Sequence, residues 1–277
     1  MSHKLETAIW REVTNKDNDF QADQCFCYGF DVYNDLLKHA NWIDYLFLII
    51  SGTKPSHEQS SLLEKIAIIL ANPGIRDLSV RAAMNAGVGK APTASILVAA
   101  LTVGSGQYGG AKEISMVMNL WQKNIDKTTF DLTIEQNEEK DIWPDIDHIP
   151  GFDPHADRSS AIIETCLNQL TQNKTTKYLH WLKNSKVMLE QGAKQPLALN
   201  GVIAAAFCDL GLTHQQSEFL FLMLRLPGAA AHAMEQEQLG WRKFPFFADT
   251  VALSQSIDKK TPPNINDLVQ GYINESE

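Results

Sequence analysis

The chain has 277 residues, enough to enclose a sizeable core in one large domain or two unequal ones. Its 24 Lys+Arg against 33 Asp+Glu give a formal charge of −9, which argues against a nonspecific nucleic-acid binder, where a basic stripe is expected. No apolar run approaches the roughly 18 residues of a membrane span, and MSHKLETAIWREV lacks the basic and apolar regions of a secretory signal, so a cytoplasmic protein is expected.

In chain order, Cys25 and Cys27 come first, one residue apart. Together with Cys166 and Cys208 they form neither a zinc spacing nor a CxxC redox pair, so all four read as free, buried thiols and no metal is expected. Ser56 and Gln59 are spaced as a capping box ahead of Leu62, Leu63, Ile66, Ile69 and Leu70, which predicts a helix with one apolar face. Small-residue runs over 82–89 and 94–106 suit helices that approach closely, in a buried pair or at a subunit interface. The stretch 123–147 is rich in Asn, Asp, Glu, Lys and Thr and reads as a solvated insertion or hinge. Thr213 and Gln216 repeat the capping box before Phe219, Leu220, Met223 and Leu224; that helix is expected to run past Arg225 and to kink or break at Pro227 and Gly228. From Thr261 the tail is polar, begins with two prolines, and suits an arm.

Four segments carry more specific information. They are GFDVYNDLLKHANWIDYLFLIISGTKPSHEQSSLLEKI (29–66), SVRAAMNAGVGKAPTASILVAALTVGSGQYGGAKE (79–113), HIPGFDPHADRSSA (148–161), and LALNGVIAAAFCDLGL followed by FLFLMLRLPGAAAHAME (197–235). In this order they resemble the citrate synthase/citryl-CoA lyase family over nearly the whole chain. The resemblance implies an all-α citrate synthase fold, a large helical domain in two parts (1–107 and 201–277) interrupted by a small helical domain (108–200). It also implies a homodimer, with an acyl-CoA thioester and a small carboxylate as substrates.

The chemistry of that family sets what the residues must do. A thioester α-proton is far less acidic than any side chain, so a carboxylate must take it while a hydrogen-bond donor stabilises the enol or enolate. In this chain the family's enol-stabilising histidine is matched by Tyr108, a weaker donor, or else a core tyrosine with its hydroxyl satisfied elsewhere. The family's aspartate base is matched by Asn200, which cannot take a proton at neutral pH; a polar helix cap is the other reading of this residue. The substrate-side histidine is matched by Pro73, which has no donor. In GFDPHADR, His155 falls one place later than the family's loop histidine, and Asp153 and His155 are the new acid/base groups this loop could offer if it is not merely surface. By resemblance, Pro150, Gly151 and Phe152 would touch the CoA adenine, while Arg158, Arg225, Arg242 and Arg76 would hold carboxylates. Internal salt bridges to Asp77 or Glu113 would serve such arginines equally well. Two functions therefore stand: carbon–carbon bond formation or cleavage between an acyl-CoA and a ketoacid by altered catalytic residues, or a noncatalytic homologue that binds CoA, an organic acid or a partner.

Overall fold

The computed structural model describes residues 7–127, 129–133 and 148–243. The chain opens with a small antiparallel sheet in the order β1 (Trp10–Thr14), β2 (Ala22–Cys27), β3 (Phe30–Asp31). Tyr28 and Gly29 join β2 to β3 with φ of 48° and 88°, the doubly left-handed turn that matches the twist of paired strands. The sheet adds to an otherwise helical molecule. A π-turn over Val32–Leu36, capped by Asp31, then leads into the helices.

These are α1 (Leu37–His39), α2 (Trp42–Ser51), α3 (His57–Ala71), α4 (Leu78–Val88), α5 (Thr93–Gly104), α6 (Ala111–Asn124), α7 (Ala161–Leu170), α8 (Tyr178–Ala193), α9 (Leu199–Asp209) and α10 (His214–Leu239). Both predicted capping boxes form, Ser56 with Gln59 at α3 and Thr213 with Gln216 at α10, and Asn41 with Asp44 makes a third at α2. The start of α8 is capped from a distance: the Asp209 carboxylate, at the end of α9, accepts the N–H groups of Lys177, Tyr178 and Leu179 at 2.6, 2.8 and 2.9 Å.

The expected break at Pro227 and Gly228 does not occur, since α10 runs through both. Proline removes the bond that would reach the Met223 carbonyl, but α10 packs against α3, α4, α5 and α6, and those contacts hold its course. Gly228 is a notch rather than a stop. A Cβ there would lie 2.5 Å from the Ala71 carbonyl oxygen and 2.7 Å from the Asn72 Cα, where α3 ends.

Two apolar clusters form. The larger gathers α2, α3 and α6–α10 around Trp121, Phe152, Phe207 and Phe221, all at most 1% exposed. The smaller joins Val80 and Met84 of α4, Ile96 and Ala100 of α5, and Ala229 and Ala233 of α10. Small residues make this second contact close: a Cβ on Gly87 would come within 2.6 Å of the Ala233 carbonyl oxygen. The runs at 82–89 and 94–106 thus pack α4 and α5 against each other and onto α10. The cysteines are free, though Cys25 and Cys208 are only partly buried, and burial pushes the Cys208 thiol up to about 12. No helix among the described residues is long and apolar enough to cross a membrane. Most of the polar stretch at 123–147 and the tail from Thr261 lie outside the described residues.

Candidate active site

The site is built on Glu113, in the first turn of α6, where a carboxylate also meets the positive end of the helix dipole. Its residue is 2% exposed. The preceding loop folds back because its glycines permit it: Gly109 has a φ of 71°, and a Cβ on Gly110 would collide with the Gly106 carbonyl oxygen at 2.4 Å. Glu113 Oε2 consequently accepts the Gly109 N–H at 2.6 Å and the Asn200 amide at 2.8 Å. Its Oε1 accepts the Gly151 N–H at 2.8 Å. The His148 Nε2 lies 3.5 Å from the same Oε1, within ion-pair range but without hydrogen-bond geometry, and both His148 ring nitrogens are buried with no hydrogen-bond partner among the described residues. Burial by itself would raise the Glu113 pKa; the His148 imidazole and the N–H donors of Gly151, Asn200 and Gly109 together outweigh it and hold the carboxyl below its usual range.

The turn at Pro150, Gly151 and Phe152 is clamped between α6 and the entry to α9. Gly151 has a φ of 87°, and a Cβ there would touch Val117 at 3.0 Å, so glycine alone fits. Its carbonyl accepts the Ala198 N–H at 2.9 Å, and the Asp153 N–H reaches the Pro196 carbonyl at 2.9 Å. Between these bonds Phe152 pairs with Leu197 and packs edge-on to Trp121. Trp121 in turn donates to the Gly201 carbonyl at 2.8 Å. Pro150, Gly151 and Phe152 are all buried.

Asn200 is not a helix cap, because Ala198 holds that place and the Asn200 amide is committed to Glu113. Asp209 offers no substitute base, being engaged as the cap of α8. Tyr108 is 46% exposed, not a core residue, and its ring meets that of His148 edge-on at 5.5 Å. Asp153 accepts the His155 N–H at 2.9 Å, and His155 is exposed. Arg225 is 6% exposed and pairs with Asp77, the cap of α4, while its Nη1 donates to the Gly109 carbonyl at 3.2 Å. Of the two internal partners the sequence left open, Asp77 is the one used. Burial lowers the Arg225 pKa to about 10, which leaves it charged at neutral pH. Arg158 and Arg76 are exposed, and Arg242 is exposed over the Trp241 ring at 5.5 Å. Beside Pro73, the Asn72 side-chain Oδ1 meets His232 Nε2 at 3.0 Å.

Sequence reading missed His148 and the central place of Glu113. HIPGF and YGGAKE were both legible as motifs, but only the fold brings the two side chains together. Tyr108, Asn200, Gly151 and Arg225 are joined in one neighbourhood through Glu113 and Gly109. A separate cleft of about 360 Å³ lies between the N-terminal ends of α2 and α3, lined by His39, Asp44, Lys54 and His57 among others, and shares no residue with this neighbourhood. Among the described residues no three His, Cys, Asp or Glu side chains are grouped to hold a metal ion.

Solved structures with the same architecture exist. The citryl-CoA lyase of Hydrogenobacter thermophilus superposes with a TM-score of 0.66 at 15% identity, over 96% of this chain and 99% of that one. The ATP citrate lyase of Methanothrix soehngenii, solved with citrate and coenzyme A, gives 0.64 at 14% identity, over 93% of this chain but 44% of that longer one. The citrate synthase of Thermoplasma acidophilum, solved with carboxymethyl coenzyme A and oxaloacetate, gives 0.52 at 12% identity, over 80% of this chain and 60% of that one. No family model and no curated protein matches the sequence. The chain therefore has the citrate synthase fold, and its fold neighbours include a citryl-CoA lyase of nearly the same extent.

Proposed function

We propose that this protein is a divergent, cytoplasmic, homodimeric relative of the citrate synthases and citryl-CoA lyases, acting on an acyl-CoA and a small carboxylate with altered catalytic residues. The observation that carries the reading is the Glu113 node, where three of the segments that resemble the family meet in space: YGGAKE through Tyr108 and Gly109, HIPGF through Gly151, and LALNG through Asn200. Arg225 joins it through the Gly109 carbonyl. In this reading Tyr108 donates to the enolate oxygen, and the turn at Pro150, Gly151 and Phe152 lies beside the CoA adenine. Arg225, with Arg158, Arg76 and a partner subunit's copy of Arg242, attracts carboxylates; Asp153 and His155 line the mouth. A second reading, a noncatalytic binder of CoA or an organic acid, is favoured by one observation: the Asn200 amide is a fixed donor to Glu113 and cannot serve as the family's base.

A thermal-shift screen of acetyl-CoA, propionyl-CoA, citrate and oxaloacetate tests ligand binding common to both readings, since a ligand that binds only the native state raises its melting temperature. An acyl-CoA shift is expected. No shift with any of them at 1 mM-scale concentration, roughly what a weak site needs, would sink both readings.

Arg225→Gln should weaken binding of the best carboxylate by about 1.5 to 3 kcal/mol, the size of a lost charge-assisted hydrogen bond. Because Arg225 also pairs with Asp77, the Asp77→Asn/Arg225→Gln double variant serves as the stability control, removing both charges together. Calorimetry showing unchanged affinity in a folded variant would take Arg225 out of the site.

A further inference from the structure

We propose that His148 is the proton-transfer group of this site, with Tyr108 as its oxyanion donor, so that the role of base is carried by a different residue than the resemblance assigns. The inference rests on the reading that the site takes acyl-CoA. Three observations support it independently of that resemblance. The His148 side chain is 9% exposed and both of its ring nitrogens are buried, yet neither has a hydrogen-bond partner among the described residues. Buried polar groups are nearly always satisfied, and an exception calls for a role. Second, Nε2 faces the ionised Glu113 at 3.5 Å, an arrangement in which the carboxylate favours the tautomer with a proton on Nε2 and leaves Nδ1 as the lone pair. Third, the His148 ring lies edge-on against Tyr108, which is itself 46% exposed, so the pair connects the buried carboxylate to the outer face of the molecule.

The step balances without any further reagent. His148 Nδ1 takes the α-proton of the thioester; the C–H electron pair becomes the carbon–carbon double bond of an enolate, whose oxygen accepts from the Tyr108 hydroxyl. The imidazolium so formed is stabilised by Glu113, and the enolate either takes the proton back or attacks an electrophilic carbonyl. Glu113 is a positioning residue here, since its oxygens are taken up by Gly109, Asn200, Gly151 and His148 and it acts through the imidazole.

The test is solvent exchange: the full chain is incubated in deuterated buffer with acetyl-CoA or propionyl-CoA, with and without oxaloacetate, and deuterium at the α-carbon is followed by mass spectrometry. Acyl-CoA affinity is measured in parallel by calorimetry. The native protein should bind and exchange. His148→Gln should bind with unchanged affinity and lose about 100- to 10,000-fold in exchange, the usual cost of a positioned base. His148→Ala should regain exchange when free imidazole is added, which a purely structural histidine would not show. Glu113→Gln, tested where it remains folded, should slow exchange by a larger factor than it weakens acyl-CoA affinity, a split between chemistry and binding. Exchange at the native rate in His148→Gln overturns the assignment of His148 and leaves the acyl-CoA reading standing. Binding without exchange in the native chain overturns the proton-transfer role and favours the noncatalytic binder. Absence of acyl-CoA binding in the native chain overturns the reading of the site itself.

Discussion

Replacing Glu113 with alanine is expected to destabilise the protein by about 3 to 5 kcal/mol, the scale of a buried charge network broken on one side. The reason is local. The carboxylate satisfies the N–H groups of Gly109 and Gly151 and the Asn200 amide, and each buried donor left unpaired costs about 1 to 3 kcal/mol, with partial relaxation reducing the sum. Glutamine should recover little of this, because its own N–H group would face one of those donors. The effect should also depend on pH. The folded-state pKa of Glu113 is depressed, so its contribution is present in full above the unfolded carboxylate value near about 4.3 and is lost as pH falls through the lower folded value. Urea unfolding at neutral pH should therefore show the full difference between native and Glu113→Ala. Repeated below about pH 4, the same measurement should show the two converging. A loss under about 1 kcal/mol at neutral pH would mean that the node is not the structural centre described above.

Asn200→Asp, the substitution that restores the family's aspartate, is expected to damage the fold rather than revive citrate formation. Asn200 donates to Glu113 Oε2 across 2.8 Å, and an aspartate there would set two carboxylates oxygen to oxygen in a buried site. Two such groups cannot both ionise freely, so one is forced to hold a proton and its pKa rises. A raised carboxyl pKa in the folded state destabilises at high pH and relaxes as pH falls through that value. The expected loss is about 2 to 4 kcal/mol at pH 8, shrinking toward pH 5, as read by thermal or urea unfolding. Citrate formation from acetyl-CoA and oxaloacetate should stay absent, because Tyr108 and Pro73 still differ and residues that act as a unit are not restored singly. A stable variant with pH-independent unfolding would show that Asn200 turns away from Glu113 when replaced.

Much of this molecule is determined by short-range features of its sequence. The capping boxes at Ser56 and Thr213 fix where α3 and α10 begin, because a side-chain oxygen and a backbone N–H three residues on satisfy each other locally. The glycines at 109 and 151 mark turns that need positive φ, and the order of the four motif segments pointed to the fold that the solved structures share. The sheet at the N-terminus was less legible, since β1 is wholly exposed and carries no alternation of buried and exposed positions.

What the tertiary structure decided were the pairings between distant segments. Proline and glycine in sequence look like a helix stop, and only the packing of α10 over the end of α3 shows why Pro227 and Gly228 are carried inside a continuous helix. Likewise, a charge in the sequence does not name its partner. Arg225 goes to Asp77, Asp209 to the start of α8, and Glu113 to backbone donors from two loops. His148 opens a legible motif, but its meaning comes from a carboxylate on α6 and an exposed tyrosine that reach it only once the chain has folded. Periodicity and capping are properties of neighbours along the chain and so can be read from it. The pairing of buried charges is set by burial and low dielectric, which arise only from packing.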